Sequence, residues 1–315
     1  MRQFIAALAI LGMAASASAQ TYPNKQITLI VPFAPGGSSD IIARIVAEDM
    51  SQTLGQRILI ENVAGAGGSV GFSRLATAAP DGYTIGYGNA GTSAATYTLE
   101  KSLKYSPDSF LPLGIVAKTL PVIAIKNAFP AQDLKGFLDY ARANPGKVTL
   151  GHAGVGSSNF LICKLFLQAA KVQIELIGYR GAGPALNDAM GGHIDGVCDG
   201  ATSVAGAINN KQIRGLLISA KARADILPDV PTSIEAGLPE FVQEGWSAFF
   251  APKGTPQAVI DTLNKAARQA VANPKVLKRF SELATVPATD EELKPEYMKA
   301  FVDAEIKRYR ELLTN

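Results

Sequence analysis

Short β-rich apolar runs alternate along the chain with stretches of helical periodicity. Ile27-Thr28-Leu29-Ile30-Val31 is one such run, closed by Pro32 and by Pro35-Gly36-Gly37. It predicts a strand buried on both faces. Ser38 or Ser39 then caps an amphipathic helix over 40–54. A second strand is predicted at 57–61. A glycine-rich turn at 65–71 leads to a helix near 72–79, and a third strand at 83–88 follows the Asp81-Gly82 turn. The apolar stretch 113–125 is long enough to pass from one lobe to another.

The pattern then repeats. A helix over 134–143 closes at Asn144-Pro145-Gly146, and a strand at 148–151 leads through a glycine-rich loop to a helix ending near 170. Strands near 174–177, 193–198 and 213–219 are separated by helices near 184–190 and 203–208. Residues 249–252 read as a return strand, and helices over 256–272, 275–283 and 291–313 finish the chain. Alternation of this kind predicts an α/β protein with parallel-rich sheets covered by helices. Its expected lobes are 20–120 with 241–315, and 121–240, around a cleft. Ligands in open α/β sheets sit at the carboxyl ends of strands. That rule selects the loops after Val31, Tyr87, Gly151 and Cys198.

The N-terminus changes the expected compartment. Arg2 precedes an apolar run at 4–15, and Ala17-Ser18-Ala19 is an A-x-A pattern. This reads as a secretory signal peptide, too short to span a bilayer, with cleavage after Ala19. No later stretch has 18 uncharged apolar residues, so the mature chain is expected to be soluble in an oxidising compartment, most simply a periplasm. The 315 residues carry 30 Lys+Arg against 27 Asp+Glu, with no block of like charge, which argues against nucleic acid as a partner. With two histidines and two cysteines there is little for a metal site, and no cofactor is expected.

Several loops carry candidate chemistry. Gly36, Gly37, Ser38, Ser39 and Asp40 lie between a strand and a helix, where backbone amides and the helix dipole favour an anion. Asp40 is expected in the first turn as a dipole partner. Gly154, Val155, Gly156, Ser157 and Ser158 form a second such loop in the other lobe, and two facing loops suit the two ends of a dianion. Asn89, Thr92, Tyr179, Arg180 and Asp199 are candidates for the remaining contacts, Arg180 as a bidentate partner for a carboxylate. Phe33 is a candidate apolar wall, and Trp246 is expected in the core. Gly67-Gly68-Ser69-Val70-Gly71 matches G-x-S-x-G literally, but several loop residues separate Ser69 from the preceding strand, and the histidines are His152 and His193. A tight structural loop is the expectation, with a secreted hydrolase using Ser69 as the rival. Cys163 and Cys198 leave open a disulfide, two buried thiols or metal ligation.

Taken in order, these stretches resemble one family, the extracytoplasmic Bug or TctC-like receptors of tripartite tricarboxylate transporters. The residues that carry the resemblance are Val31-Pro32-Phe33-Ala34-Pro35-Gly36-Gly37 with Asp40, Glu61-Asn62 with Gly65-Ala66-Gly67-Gly68, and Pro80-Asp81-Gly82-Tyr83-Thr84. Further on come Ala153-Gly154-Val155-Gly156-Ser157, Tyr179-Arg180-Gly181, Leu227-Pro228-Asp229-Val230-Pro231-Thr232 and Ala251-Pro252-Lys253-Gly254-Thr255-Pro256. The resemblance implies a two-lobed, type II-like Venus-flytrap fold acting as a monomer without enzymatic activity. It further implies a carboxylate ligand, held by backbone amides and waters of the two loops and delivered to a membrane permease; an apolar wall such as Phe33 would suit a ring or an alkyl spacer, which leaves both an aromatic dicarboxylate such as terephthalate and a C4 to C6 dicarboxylate open. A ligand sensor docking on a histidine kinase is the alternative with the same site. Where many members carry His this chain has Asn159, and where relatives often carry Gln after Asp199 it has Gly200. The cysteine pair resembles that of a subgroup with cysteines at both positions, which favours the disulfide.

Overall fold

The computed structural model describes residues 22–314; the expected signal peptide lies outside the described residues. The chain begins with β1 (Ile27–Val31), α1 (Ser38–Leu54), β2 (Ile58–Asn62), α2 (Ser69–Ala76) and β3 (Thr84–Asn89). A π-helical turn, Gly91–Ala95, and the short α3 (Thr96–Leu99) lead to β4 (Phe110–Thr119). Next come β5 (Pro121–Lys126), α4 (Leu134–Ala143), β6 (Thr149–His152), α5 (Ser158–Ala170), β7 (Glu175–Gly178), α6 (Ala182–Met190), β8 (Gly196–Gly200), α7 (Ala201–Asn209) and β9 (Ile213–Ile218). The last elements are β10 (Gly245–Pro252), α8 (Gln257–Ala272), α9 (Pro274–Ser281), β11 (Thr285–Pro287) and α10 (Pro295–Thr314).

These strands make two sheets. One runs β11-β4-β10-β3-β1-β2, and the other β7-β6-β8-β5-β9. In each, three strands formed by βα alternation are parallel, and the strands that link the sheets or follow them are antiparallel. The sheets are therefore mixed. The helical and β signals identify elements, but strand direction is set by which edge the chain reaches after crossing. β4 passes directly into β5 at Leu120, and β10 returns to pair antiparallel with β4, Gly245 opposite Thr119. Two strands thus run side by side where the lobes meet, the arrangement of a hinge.

Each sheet buries its own core. β1 is buried along almost its whole length because helices cover both faces. α1 turns Ile42, Ala43, Val46, Ala47 and Met50 inward, and Gly55 ends it in the left-handed conformation (φ 63°) that glycine adopts without strain. The second sheet is covered on two faces by separate apolar clusters. One is built around Phe137, Phe166 and Leu150, the other around Val122, Val204 and Ile218. Trp246 is buried in the first lobe's core, its indole N–H donating to Glu305 at 3.1 Å.

Candidate ligand cleft

The β1–α1 loop is locked by a carboxylate. Asp40 is buried and accepts from the Gly36 amide (3.1 Å), Arg44 Nε (3.0 Å) and Asn62 Nδ2 (2.9 Å). Asn62 Nδ2 also donates to the Phe33 carbonyl at 3.0 Å. Burial pushes the Asp40 carboxyl up, but the bonds from Arg44, Asn62 and Gly36 and the charge of Arg44 outweigh it and hold it below its ordinary range. Asp40 is thus fully engaged in fixing the loop. Gly36 stands at φ 89° in it, where a side chain would be strained.

The facing loop is held from within. Ser157 is the N-cap of α5 and accepts from the Phe160 amide at 3.1 Å. The β3–π-turn junction is an Asx turn, with Asn89 Oδ1 accepting from the Gly91 and Thr92 amides at 3.0 and 3.2 Å. Each loop is therefore preformed before any ligand contact is made.

The lobes touch across these loops. Ala34 N–H donates to the Arg180 carbonyl (3.1 Å), Gly91 N–H to Ser158 Oγ (3.1 Å), and Ser38 Oγ to the Gly200 carbonyl (3.4 Å). Thr202 and Thr285 share a hydroxyl bond of 2.8 Å. Glycines permit the approach. A side chain on Gly37 would come within 2.9 Å of Ala182 Cβ, one on Gly67 would overlap the Val155 carbonyl, and one on Gly91 would overlap the Ser158 backbone. Phe33 packs in a small apolar cluster with Ala153 and Ala182 from the other lobe.

Two spaces lie between the lobes. A small cavity of about 30 Å³ is lined by Ser38, Ser39 and Asn89 from one lobe, Ser158, Asn159 and Asp199 from the other, and Thr119, Gly245, Trp246 and Ser247 from β4, β10 and their neighbours. The N-termini of α1, α5 and α7 all reach it. A groove of about 370 Å³ lies between Ala66, Gly67, Thr96, Leu99 and Glu100 on one side and Gly154, Val155, Gly156, Tyr179 and Arg180 on the other. Of the sequence-selected residues, Ser38, Ser39, Asn89, Ser158, Asn159 and Asp199 line the cavity, Gly154, Val155, Gly156, Tyr179 and Arg180 line the groove, and the rest line neither. Gly36, Gly37, Phe33 and Asp40 shape the first loop without lining the cavity, Thr92 caps Asn89, and the Tyr179 hydroxyl turns to Asp188 at 2.7 Å.

Sequence reasoning placed Gly200 near the cleft but missed Tyr87, Thr119, Ile162, Gly245, Trp246 and Ser247 as cavity walls. Ser247 and Trp246 enter only through antiparallel pairing. A side chain at 200 would lie 2.8 Å from Ser38 Oγ, so glycine here is what lets Ser38 reach across. Asn159 donates to Asp199 Oδ1 (2.8 Å) and to the Cys198 carbonyl (3.0 Å). Cys198 is bonded to Cys163, which ties α5 to β8 behind the cavity. The hydrolase arrangement is absent from the histidines. His152 Nδ1 accepts from the Gly154 amide, and His193 faces Asp188.

Residues 42–315 match the family model described as tripartite tricarboxylate transporter family receptor. The chain belongs to this receptor family. The same architecture recurs in the periplasmic binding protein BugD, 34% identical with a TM-score of 0.89, covering 93% of this chain and 98% of that one. It recurs in MatC from Rhodopseudomonas palustris with bound malate, at 35% identity and a TM-score of 0.88, covering 92% and 99%. An R. palustris protein with adipate is 28% identical at a TM-score of 0.88, covering 93% and 97%. The receptor family is one of periplasmic solute-binding proteins, and the chain is a binding protein rather than an enzyme. Among the described residues no helix is long and apolar enough to cross a membrane.

Proposed function

We propose that this receptor captures a small dicarboxylate in the periplasm and delivers it to the permease of a tripartite tricarboxylate transporter, the chain being exported by cleavage after Ala19. The observation that carries the reading is the small cavity between the lobes, lined by serine and asparagine side chains and reached by three helix N-termini. Backbone amides and helix dipoles favour a carboxylate there. The malate and adipate bound by its neighbours support the same ligand class.

In this mechanism residues 20–120 with 241–315 and residues 121–240 move as two bodies about the β4 and β10 strands. The ligand meets one preformed loop first, and closure brings the second loop onto its other end. A cavity of about 30 Å³ holds little more than one water, so a dicarboxylate requires the lobes to part from the arrangement described. Binding is therefore an equilibrium between separations of the lobes, with the ligand favouring one of them.

A thermal-shift screen of the chain from Gln20 tests this, using malate, adipate, terephthalate, tricarboxylates and amino acids on protein unfolded and refolded to remove carried-over ligand. A ligand at 100 times its Kd adds about 2.7 kcal/mol to stability, enough to raise the melting temperature measurably. A dicarboxylate response supports the reading. A folded protein that responds to no acid ends it.

A further inference from the structure

Asp199, next to last in β8, lies in the wall of the small cavity and is 2% exposed. Its carboxyl is ringed by neutral donors: Asn159 Nδ2 at 2.8 Å and the Gly200 amide at 2.7 Å on one oxygen, Ser203 Oγ on the other. The groups that face it from the surrounding elements are uncharged as well. α1 presents Ser38, α5 Asn159, α7 Ser203, and β5 its strand partner Val122. Across the cavity β3 presents Tyr87, whose hydroxyl burial pushes up to about 12, so it is neutral at physiological pH. The charged pair on α1, Asp40 and Arg44, is bonded to itself and does not line the cavity.

Three helix N-termini favour one negative charge in this space. An ionised Asp199 beside a bound carboxylate would make two, and like charges that close in a water-poor site do not both ionise. The neutral form can be fully bonded. With a proton on the oxygen nearer Ser203, Asp199 donates to Ser203 Oγ, and the Ser203 hydroxyl donates onward to the Gly200 carbonyl at 3.2 Å. Burial pushes the Asp199 carboxyl above its ordinary range, against the hydrogen bonds from Ser203, Gly200, Asn159 and Ser38.

We infer that Asp199 gains a proton when the cleft closes on a carboxylate, so that capture takes up one proton from solvent and tightens as pH falls. The inference rests on the carboxylate reading above. Calorimetric titration of the protein with malate and with adipate, each in two buffers of different ionisation enthalpy, counts that proton. Uptake is expected to approach one per ligand, with Kd rising about tenfold per unit between pH ~7 and pH ~8, and with Asp199→Asn abolishing both effects. Binding with no proton uptake and a flat pH dependence overturns the inference and leaves the receptor reading standing.

A second arm needs no ligand. In the ligand-free protein burial raises the Asp199 carboxyl, and proton uptake on capture requires it to be ionised there at neutral pH. A carboxyl raised in the native state opposes folding more as pH rises from its ordinary range to its raised value. Asp199→Asn is therefore expected to melt above the wild type at pH ~7 and to match it near pH ~4. A variant that melts below the wild type at neutral pH overturns the inference. If neither acid binds but this melting gap appears, the carboxylate reading fails and the raised Asp199 carboxyl stands. Should the variant not fold, isotope-edited infrared spectroscopy of aspartate-labelled wild type saturated with malate or adipate reports the protonated carboxyl directly; its absence overturns the inference.

Discussion

Asp40 shows how one buried side chain fixes the loop between β1 and α1. Removing its carboxylate releases Arg44, Asn62 and the Gly36 amide together. Asp40→Ala is expected to cost about 3 kcal/mol, because hydrogen bonds to a buried charge are worth more than neutral ones and their donors are left unpaired. Asp40→Asn isolates the charge. The folded carboxyl lies below its ordinary range, so its contribution is complete above the unfolded value near ~4 and is lost as pH falls through the folded value. Urea midpoints of wild type and Asp40→Asn should thus differ most near neutrality and converge in acid; a gap independent of pH would remove the charge from the explanation. At this scale the sequence showed that the loop between Val31 and the first helix mattered, because glycine, serine and aspartate there have local reasons. It did not show that Asp40 reaches Asn62, a partner 22 residues on that only strand pairing brings near.

Among the elements, α5 and β8 form the firmest part of the second lobe's site. α5 carries Ser158 and Asn159 at its start and Cys163 one turn later; β8 carries Cys198 beside Asp199. The Cys163–Cys198 bond therefore holds together the two segments that supply the cavity's second-lobe wall. It closes a loop with a sequence separation of 35, for which chain entropy gives about 4 kcal/mol. The double Cys163→Ser, Cys198→Ser variant is expected to lose about that much stability in chemical denaturation, and reduction of the wild type to lower it comparably. An unchanged midpoint would mean that packing of α5 on β8 suffices alone. The helices were legible because a 3.6-residue apolar period survives in isolation: 134–143 is read as it stands. The π-turn at Gly91–Ala95 and the three-residue β11 were not, since neither has a period and both exist through tertiary contacts.

At the scale of the molecule, the lobes approach each other backbone to backbone at Gly37, Gly67 and Gly91, and that approach was invisible to any local pattern. The loops at 36–40 and 154–158 read as anion cradles and that at 65–71 as a tight structural loop, but no local pattern showed that Gly67 and Gly91 let one backbone approach another across the lobes. Gly91 is the cleaner probe. It lies in the π-turn outside the left-handed region, so alanine fits its own lobe, while its Cβ would overlap Ser157 and Ser158 in the other. Gly91→Ala should therefore hold the lobes apart without unfolding either. Small-angle scattering is expected to give a larger radius of gyration than wild type in matched buffer, and affinity for a carboxylate identified by the screen to fall at least about tenfold, some 1.4 kcal/mol. The melting profile should change little, because each sheet retains its own core. An alanine variant as compact and as tight-binding as wild type would show that closure does not require Gly91 and Ser158 to meet. The clasp would then have to be sought between Gly37 and Ala182, or between Gly67 and Val155, the other places where a missing side chain lets the lobes close.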